Sequence, residues 1–377
     1  MPDRLGVGIV GCGNISSAYF KLSKLFNSFE IIACSDINED AARARAEEFD
    51  VRADSVDDML AADDIDIVVN LTVPAAHFEV SKRFLKQNKH VYAEKPFVLS
   101  VSEGQQLAAI AADRGVRIGS APDTFLGGAH QLARHLVDRG DLGKITSGTC
   151  HVMSHGMEHW HPNPDFFFKP GGGPILDLGA YYISNLVQLI GPVKSVAAMS
   201  ATPAPQRTIT SQPRAGETIT VETPTTFHAL LEFENNALVT LGASWDVWEN
   251  GHGPMELYGE KGSLFMPDPN YFAGEVRYTT RSDYVIEEPE WEHPLGVDNE
   301  EHSWGRTANY RAAGLADMAQ AIKQNRRHRC SLEFALHVVE VMTAILHSSD
   351  KKRFMEMETR CERPEALSPQ EAQTLMA

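Results

Sequence analysis

Residues 5–16 read Leu5-Gly6-Val7-Gly8-Ile9-Val10-Gly11-Cys12-Gly13-Asn14-Ile15-Ser16, a short apolar run that breaks into a glycine turn. The run has the composition of a strand buried on both faces, and the segment after it takes up a helical period. Gly8, Gly11 and Gly13, with Asn14 and Ile15, therefore stand where a strand gives way to a helix. Glycine there permits a tight turn, and a missing side chain lets a pyrophosphate approach backbone N–H groups at a helix start. A plain glycine turn would read the same locally, and the sixth position of the pattern is Ser16 rather than glycine. The wider context favours the dinucleotide. A second strand candidate, Ile31–Ser35, ends at Asp36, about 20 residues on, where an acidic side chain meets a ribose 2′-hydroxyl and repels a 2′-phosphate. The stretch predicts a Rossmann-type site that takes NAD in preference to NADP.

Outward from this turn the same rhythm continues. Strand candidates Leu5–Val10, Ile31–Ser35, Ile67–Leu71, His90–Ala93 and Val116–Gly119 alternate with amphipathic segments near 15–26, 38–49, 75–87 and 100–113. Such alternation means βαβ units and a parallel sheet, so residues 1–124 are expected to form an α/β Rossmann domain. After residue 124 the pattern changes. A helix near 128–140 leads into strands at 144–154, 194–202, 218–234, 237–249, 254–258 and 262–266. Helices are expected over Ile175–Ile190 and near 310–323 and 332–348. This predicts a second, α+β domain over 125–377 with a large, mostly antiparallel sheet. The Pro-, Ser- and Thr-rich stretch 203–217 reads as an exposed loop.

Composition narrows the function classes. The chain has 377 residues, enough for two or three domains of about 150 residues. Lys and Arg number 34 against 51 Asp and Glu, a net charge of −17 that repels phosphate backbones and anionic lipid, so neither nucleic acid nor a membrane is an expected partner. No apolar run approaches the roughly 20 residues of a membrane span, and the N-terminal run reads as a strand rather than a secretory signal. Cys12, Cys34, Cys150, Cys330 and Cys361 are scattered and odd in number, which fits reduced thiols in a cytoplasmic protein.

At the end of the fourth strand candidate stands Glu94-Lys95-Pro96, on the edge of a parallel sheet where ligands bind. Burial there is expected to lower the Lys95 pKa so that the amine can shuttle a proton. A surface lysine with a solvated head fits the spacing equally well. The glycine turn, Thr72-Val73-Pro74 with His77, Glu94-Lys95-Pro96 and the run Gly171 to Tyr181 together resemble the glucose–fructose oxidoreductase / inositol dehydrogenase family over nearly the whole chain. The resemblance implies an N-terminal domain that binds NAD or NADP and a C-terminal domain that covers the nicotinamide and holds a sugar-like substrate. It also implies a dimer or tetramer built on the exposed face of the second sheet. Thr72, Val73, Pro74, His77, Glu94, Lys95 and Asp123 are placed beside the cofactor, and Lys95 becomes a catalytic or substrate-orienting residue.

On the helix that begins near Pro174, Asp177 and Tyr181 are four apart and share a face, with Ser184 one turn on. A carboxylate and a phenol so spaced suit holding a substrate hydroxyl and relaying its proton. Taken alone, they also fit a charged first turn and a core tyrosine. Many family members carry a histidine where this chain has Tyr181, and an aspartate where it has Ser184; the glucose–fructose oxidoreductase branch is similar in bearing a tyrosine. Asp123, after Pro122, is a candidate substrate or nicotinamide contact and equally a turn residue. His155-Gly156-Met157-Glu158-His159 matches a zinc hydrolase pattern, but it follows a strand, contains glycine and runs into prolines, so no metal is expected. His159, Trp160 and Asn163 are instead candidate sugar contacts, balanced against a packed loop without a ligand. Trp245, Trp248, Trp304 and Arg306 read as core, interface or exposed residues. The expected activity is NAD-dependent oxidation of a cyclic aldose or small polyol, with Lys95, Tyr181 and Asp177 as the catalytic set. The residues do not divide the proton-handling between Lys95 and Tyr181. A redox-neutral NAD-using glycosidase and a non-catalytic NAD-binding regulator are the alternatives.

Overall fold

The computed structural model describes residues 4–280, 286–287, 289–302 and 305–377, so Trp304 lies outside the described residues. The chain begins with β1 (Leu5–Val10), α1 (Ser16–Leu22), β2 (Phe29–Ser35), α2 (Glu39–Phe49), β3 (Arg52–Ala53) and α3 (Val56–Ala61). It continues through β4 (Ile67–Asn70), α4 (Pro74–Lys86), β5 (His90–Ala93), α5 (Val101–Arg114) and β6 (Ile118–Ser120). Local chemistry sets the helix starts. Asn38 caps α2, and Ser55 and Ser100 form reciprocal capping boxes with Asp58 and Glu103. The strands pair in parallel in the order β3-β2-β1-β4-β5-β6. All four residues of β4 are buried, as a strand covered on both faces requires. β3 and α3 are two and six residues long, too short to show a hydrophobic period in the sequence.

Register decides where the site forms. Ser35 pairs with Val10, Val10 with Asn70, Asn70 with Ala93, and Ala93 with Ser120. The carboxyl ends of five strands therefore lie in one row, and Asp36, Gly11, Thr72, Glu94, Lys95 and Asp123 all leave the sheet from that edge.

The remaining chain forms α6 (Gly128–Arg139), β7 (Ile145–Met153), α7 (Ala180–Ile190), β8 (Val193–Ala201), β9 (Gln206–Thr208), β10 (Thr218–Thr220), β11 (Thr226–Phe233) and β12 (Leu238–Ser244). Then come β13 (Met255–Gly259), β14 (Ser263–Met266), β15 (Arg277–Thr279), β16 (Glu300–His302), β17 (Gly305–Thr307), α8 (Ala313–Gln324), α9 (Leu332–Lys351), β18 (Met355–Glu356) and α10 (Pro369–Leu375). The large sheet runs β15-β14-β13-β7-β12-β11-β8-β18. It is antiparallel except where β12 lies parallel to β7. Along β11 Phe227, Ala229, Leu231 and Phe233 are buried, and α9 packs on the adjoining β8. On the opposite face Met199, Leu230 and Leu238 are exposed.

Three expectations need correction. The strand expected over 218–234 is two strands in different sheets, with Pro224 between them. Stretch 203–217 is no exposed loop: β9 lies within it, and Arg207 and Ile209 are buried. The helix expected over Ile175–Ile190 opens as a π-helical turn at Ile175–Gly179 before α7. The chain also returns to the first sheet late. The Ser120 amide donates to the Cys330 carbonyl at 3.1 Å, the Ser28 hydroxyl to the Ala316 carbonyl at 3.1 Å, and Phe26 bridges to Met376.

Candidate active site

At the end of β1 the backbone of Gly11 takes φ +104°, and a Cβ there would lie 2.6 Å from the Leu71 backbone. Only glycine fits both constraints. Gly13 faces open space, with nothing within 4 Å of a Cβ position. Asp36 braces the turn, accepting from the Cys12 amide at 2.6 Å and the Asn38 amide at 2.8 Å while remaining half-buried at the edge. Beside it Ile37 is fully exposed and Val73 is 68% exposed, two apolar side chains on one rim. Open backbone at Gly13, a fixed carboxylate and exposed apolar contacts form a set that fits a dinucleotide.

Across the switch point, Asn70 holds the next turn. Its side chain donates to the His77 carbonyl and Ser81 hydroxyl, each at 3.0 Å, and accepts from the Thr72 hydroxyl at 2.7 Å. His77 is buried, with one ring nitrogen 2.8 Å from the Pro96 carbonyl and the other 3.0 Å from that of Thr72. It ties the Thr72–Pro74 turn to the segment carrying Lys95, and both its nitrogens are engaged by backbone.

Lys95 is the centre of the arrangement. Its Nζ donates to Asp177 Oδ1 at 2.9 Å and to the Asp177 carbonyl at 2.6 Å, and it lies 5.2 Å from the centre of the Tyr181 ring. Burial pulls the Lys95 pKa down, but the charges of Asp177 and Tyr181 and the bond to Asp177 outweigh it and leave the amine above its usual range. The expected lowering is thus reversed: Lys95 stands as a fixed ammonium, because a carboxylate at contact distance compensates for the lost water. The carboxylate of Asp177 bonds this ammonium and makes no helix cap. Tyr181 is 4% exposed, and among the described residues nothing hydrogen-bonds its hydroxyl. Ser184 is buried beneath it.

Below this pair lies a second charged layer. Glu94 is buried and accepts from the Tyr19 hydroxyl at 3.0 Å and the Lys95 amide at 2.9 Å. Asp123, 2% exposed, accepts from the Gly314 amide at 3.0 Å. Burial pushes its carboxyl up to about 6, against the opposing pull of the Gly314 amide and Arg311. Arg311 was missed by sequence reasoning. Its guanidinium is held above its usual range first by Tyr181, against the cost of burial, and then by Glu94 and Asp123. Nothing local marks it; the only signal is a cation just before an apolar helix, which is ordinary in sequence.

His159, Trp160 and Asn163 are exposed on a separate loop, and no contact among the described residues joins them to Lys95, Asp177 or Tyr181. That loop is anchored by the buried Arg207, which bonds Glu158 at 2.7 Å, the carbonyls of His155 and Trp245, and Asp246. Glu158 is thereby turned into an ion pair, and among the described residues no three His, Cys, Asp or Glu gather to hold a metal. Trp245 is buried in the small core around this anchor, Trp248 stacks on His155, and Arg306 bonds the Asp298 carbonyl.

Comparison with known proteins fits this geometry. Residues 5–121 match the model described as oxidoreductase family, NAD-binding Rossmann fold, and residues 130–265 the GFO/IDH/MocA C-terminal domain. The chain belongs to the GFO/IDH/MocA oxidoreductase family. Its NAD-binding domain is the parallel sheet carrying Gly11 and Asp36. Among curated relatives, an uncharacterised oxidoreductase of Schizosaccharomyces pombe is 28% identical over 52% of this chain and 54% of its own. A D-xylose dehydrogenase of Paenarthrobacter nicotinovorans is 30% identical over 38% of each chain. The chain spans about half the length of the curated relatives it matches. In fold it is similar to a levoglucosan dehydrogenase, with TM-score 0.80 and 18% identity over 95% of this chain and all of that one. It is also similar to an NAD-binding oxidoreductase from Klebsiella pneumoniae, with TM-score 0.79 and 21% identity over 94% and 99% of the two chains. Among the described residues no helix is long and apolar enough to cross a membrane.

Proposed function

We propose that the protein oxidises a cyclic aldose or small polyol with NAD, and that Lys95, Tyr181 and Asp177 carry the chemistry. The observation that supports this most is the Lys95 ammonium, fixed by two bonds to Asp177, over the Tyr181 ring, at the strand edge that also presents Gly11 and Asp36. The chemistry NAD would supply when bound is a hydride acceptor for the carbon that bears the reacting hydroxyl. Asp177 takes two of the three Lys95 donors, leaving the third to hold the reacting oxygen. The Tyr181 phenolate oxygen, its negative charge met by Lys95 and Arg311, takes that oxygen's proton as the hydride leaves the carbon. Lys95 itself serves as donor and not as base, since its pKa is raised. Thr72, Val73 and Pro74, held by Asn70 and His77, would hold the cofactor, as would Gly11, Gly13, Asn14, Ile15 and Asp36, whereas Gly8 is buried within β1, where a Cβ would lie 2.2 Å from the Met59 side chain, and serves packing instead. Asp123 and Glu94 set the charge under it. His159, Trp160 and Asn163 form an outer rim for the sugar.

D-apiose, oxidised at its anomeric carbon to the lactone, is the first substrate to try against the chain carrying residues 121–125 (APDTF) and 171–182 (GGGPILDLGAYY). The relatives that act on D-xylose and levoglucosan support the sugar class. The exposed sheet face with Met199, Leu230 and Leu238 pairs with a second copy of the chain. The test follows NADH absorbance across aldoses and polyols, with NAD and NADP compared. One sugar giving NADH, with turnover reduced by about 100-fold or more in Tyr181→Phe and Lys95→Ala, is expected. NADP preference removes the role given to Asp36. Tight NAD binding without turnover on any sugar favours the glycosidase or the regulator.

A further inference from the structure

In a chain of net charge −17, six arginines converge on one cleft of about 710 Å³: Arg117, Arg326, Arg327, Arg329, Arg360 and Arg363. The cleft lies at the far end of β6 from the Lys95 site, for Arg117 immediately precedes that strand and Asp123 follows it. Glu333, Glu362 and Glu365 also line it, so arginines outnumber carboxylates two to one.

Some of this charge is already spent. Arg329 is buried and bonded to Asp317 and Glu371, and Arg326 shares Asp317. Arg363 reaches Asp138 and the Gln188 carbonyl, and Arg360 pairs with Glu234. Arg117 is different. Its guanidinium is half-buried and bonds only the backbone carbonyl of Arg326, with no carboxylate in contact among the described residues. Burial, then the neighbouring Arg326 charge, depress its pKa. Arg327 stands 83% exposed at the rim, holding Glu362. The first turn of α9 adds donors: Ser331 caps the Phe334 amide, and the Leu332 and Glu333 amides have no intrahelical acceptor. A half-buried guanidinium beside a like charge is a cost that a bound anion removes. The planar fork of arginine matches oxyanions in pairs of bonds, which singles out phosphoryl and carboxylate groups over halide.

We propose that this cleft binds a small multivalent oxyanion, a diphosphate or a polycarboxylate, at a site separate from the NAD site, with Arg117 and Arg327 in direct contact. The test is calorimetric titration of the full chain saturated with NAD, which keeps the cofactor turn occupied. Sodium pyrophosphate and sodium citrate are titrated at constant ionic strength. Saturable binding at one site per chain is expected, about ten-fold weaker in Arg117→Gln and in Arg327→Gln. Tighter pyrophosphate assigns the phosphoryl source, and tighter citrate the carboxylate source. If Arg117→Gln does not fold, Arg327→Gln, exposed at the rim, carries the test alone. No saturable heat with either probe, or binding that the variants leave unchanged, overturns the proposal and marks an adventitious ion only.

Discussion

Two acidic side chains near Lys95 differ in what surrounds them, and that difference is testable. Asp177 lies against the ammonium and serves as its counter-ion. Asp177→Asn removes the largest of the charges that raise the Lys95 pKa and leaves only Tyr181 and Glu94 against burial, which lowers it. Activity of the variant is expected to fall with rising pH where the wild type stays level, read from pH profiles of kcat/KM. Among the described residues Asp123 makes no ion pair; burial raises its carboxyl to about 6, outweighing the downward pull of the Gly314 amide and the Arg311 charge. A raised folded pKa contributes stability below the unfolded value, near 4, and that contribution is lost as pH climbs through 6. Asp123→Asn, neutral throughout, is therefore expected to melt higher than wild type above pH 6, by up to about 3 kcal/mol, with the two converging below pH 4. Equal melting differences at both ends of that range would refute a buried, protonatable Asp123.

At the scale of elements, the site depends on segments held by buried polar groups. Arg207, on β9, spans Glu158, Asp246 and two carbonyls while lying 5.3 Å over the Phe168 ring. It joins β9, the 155–163 loop and the end of β12 around one small core that also packs Leu178, next to Asp177. Removing one partner of a buried ion pair leaves the other charge uncompensated, so Arg207→Leu is expected to cost about 3–5 kcal/mol. Thermal melting measures the loss, and proteolysis is expected to begin within residues 155–163. From sequence this region reads as an exposed loop, because it is rich in Pro, Ser and Thr. The strands there are three residues long, too short for a period to show. By contrast β1, β2, β4 and β5 were legible because burial on both faces demands continuous apolar runs. The glycine turn was legible because Gly11 meets the Leu71 backbone and allows no substitute.

In the whole molecule, one face of the large sheet is packed under α9 and the other presents Met199, Leu230 and Leu238, 79%, 52% and 56% exposed. If two copies join there, Leu230→Lys, at the middle of β11, is expected to shift sedimentation toward the monomer while leaving the melting of the isolated chain nearly unchanged. An unchanged sedimentation coefficient would move the interface elsewhere. Binding of NAD is expected to raise the melting temperature progressively with its concentration, since the ligand binds only the folded state. By itself the sequence determined the parallel sheet, its glycine turn and the acidic residue after β2, because each rests on a local pattern, whereas the meeting of Lys95 with Asp177 and Tyr181 was implied only by the family resemblance. Only the tertiary structure decided the charge of Lys95 and the presence of Arg311 beside Tyr181. It alone joined Arg207 to Glu158 and gathered six arginines in one cleft. Those depend on which distant charges burial brings into contact, and a Coulomb interaction is set by distance in space, which spacing along the chain does not encode.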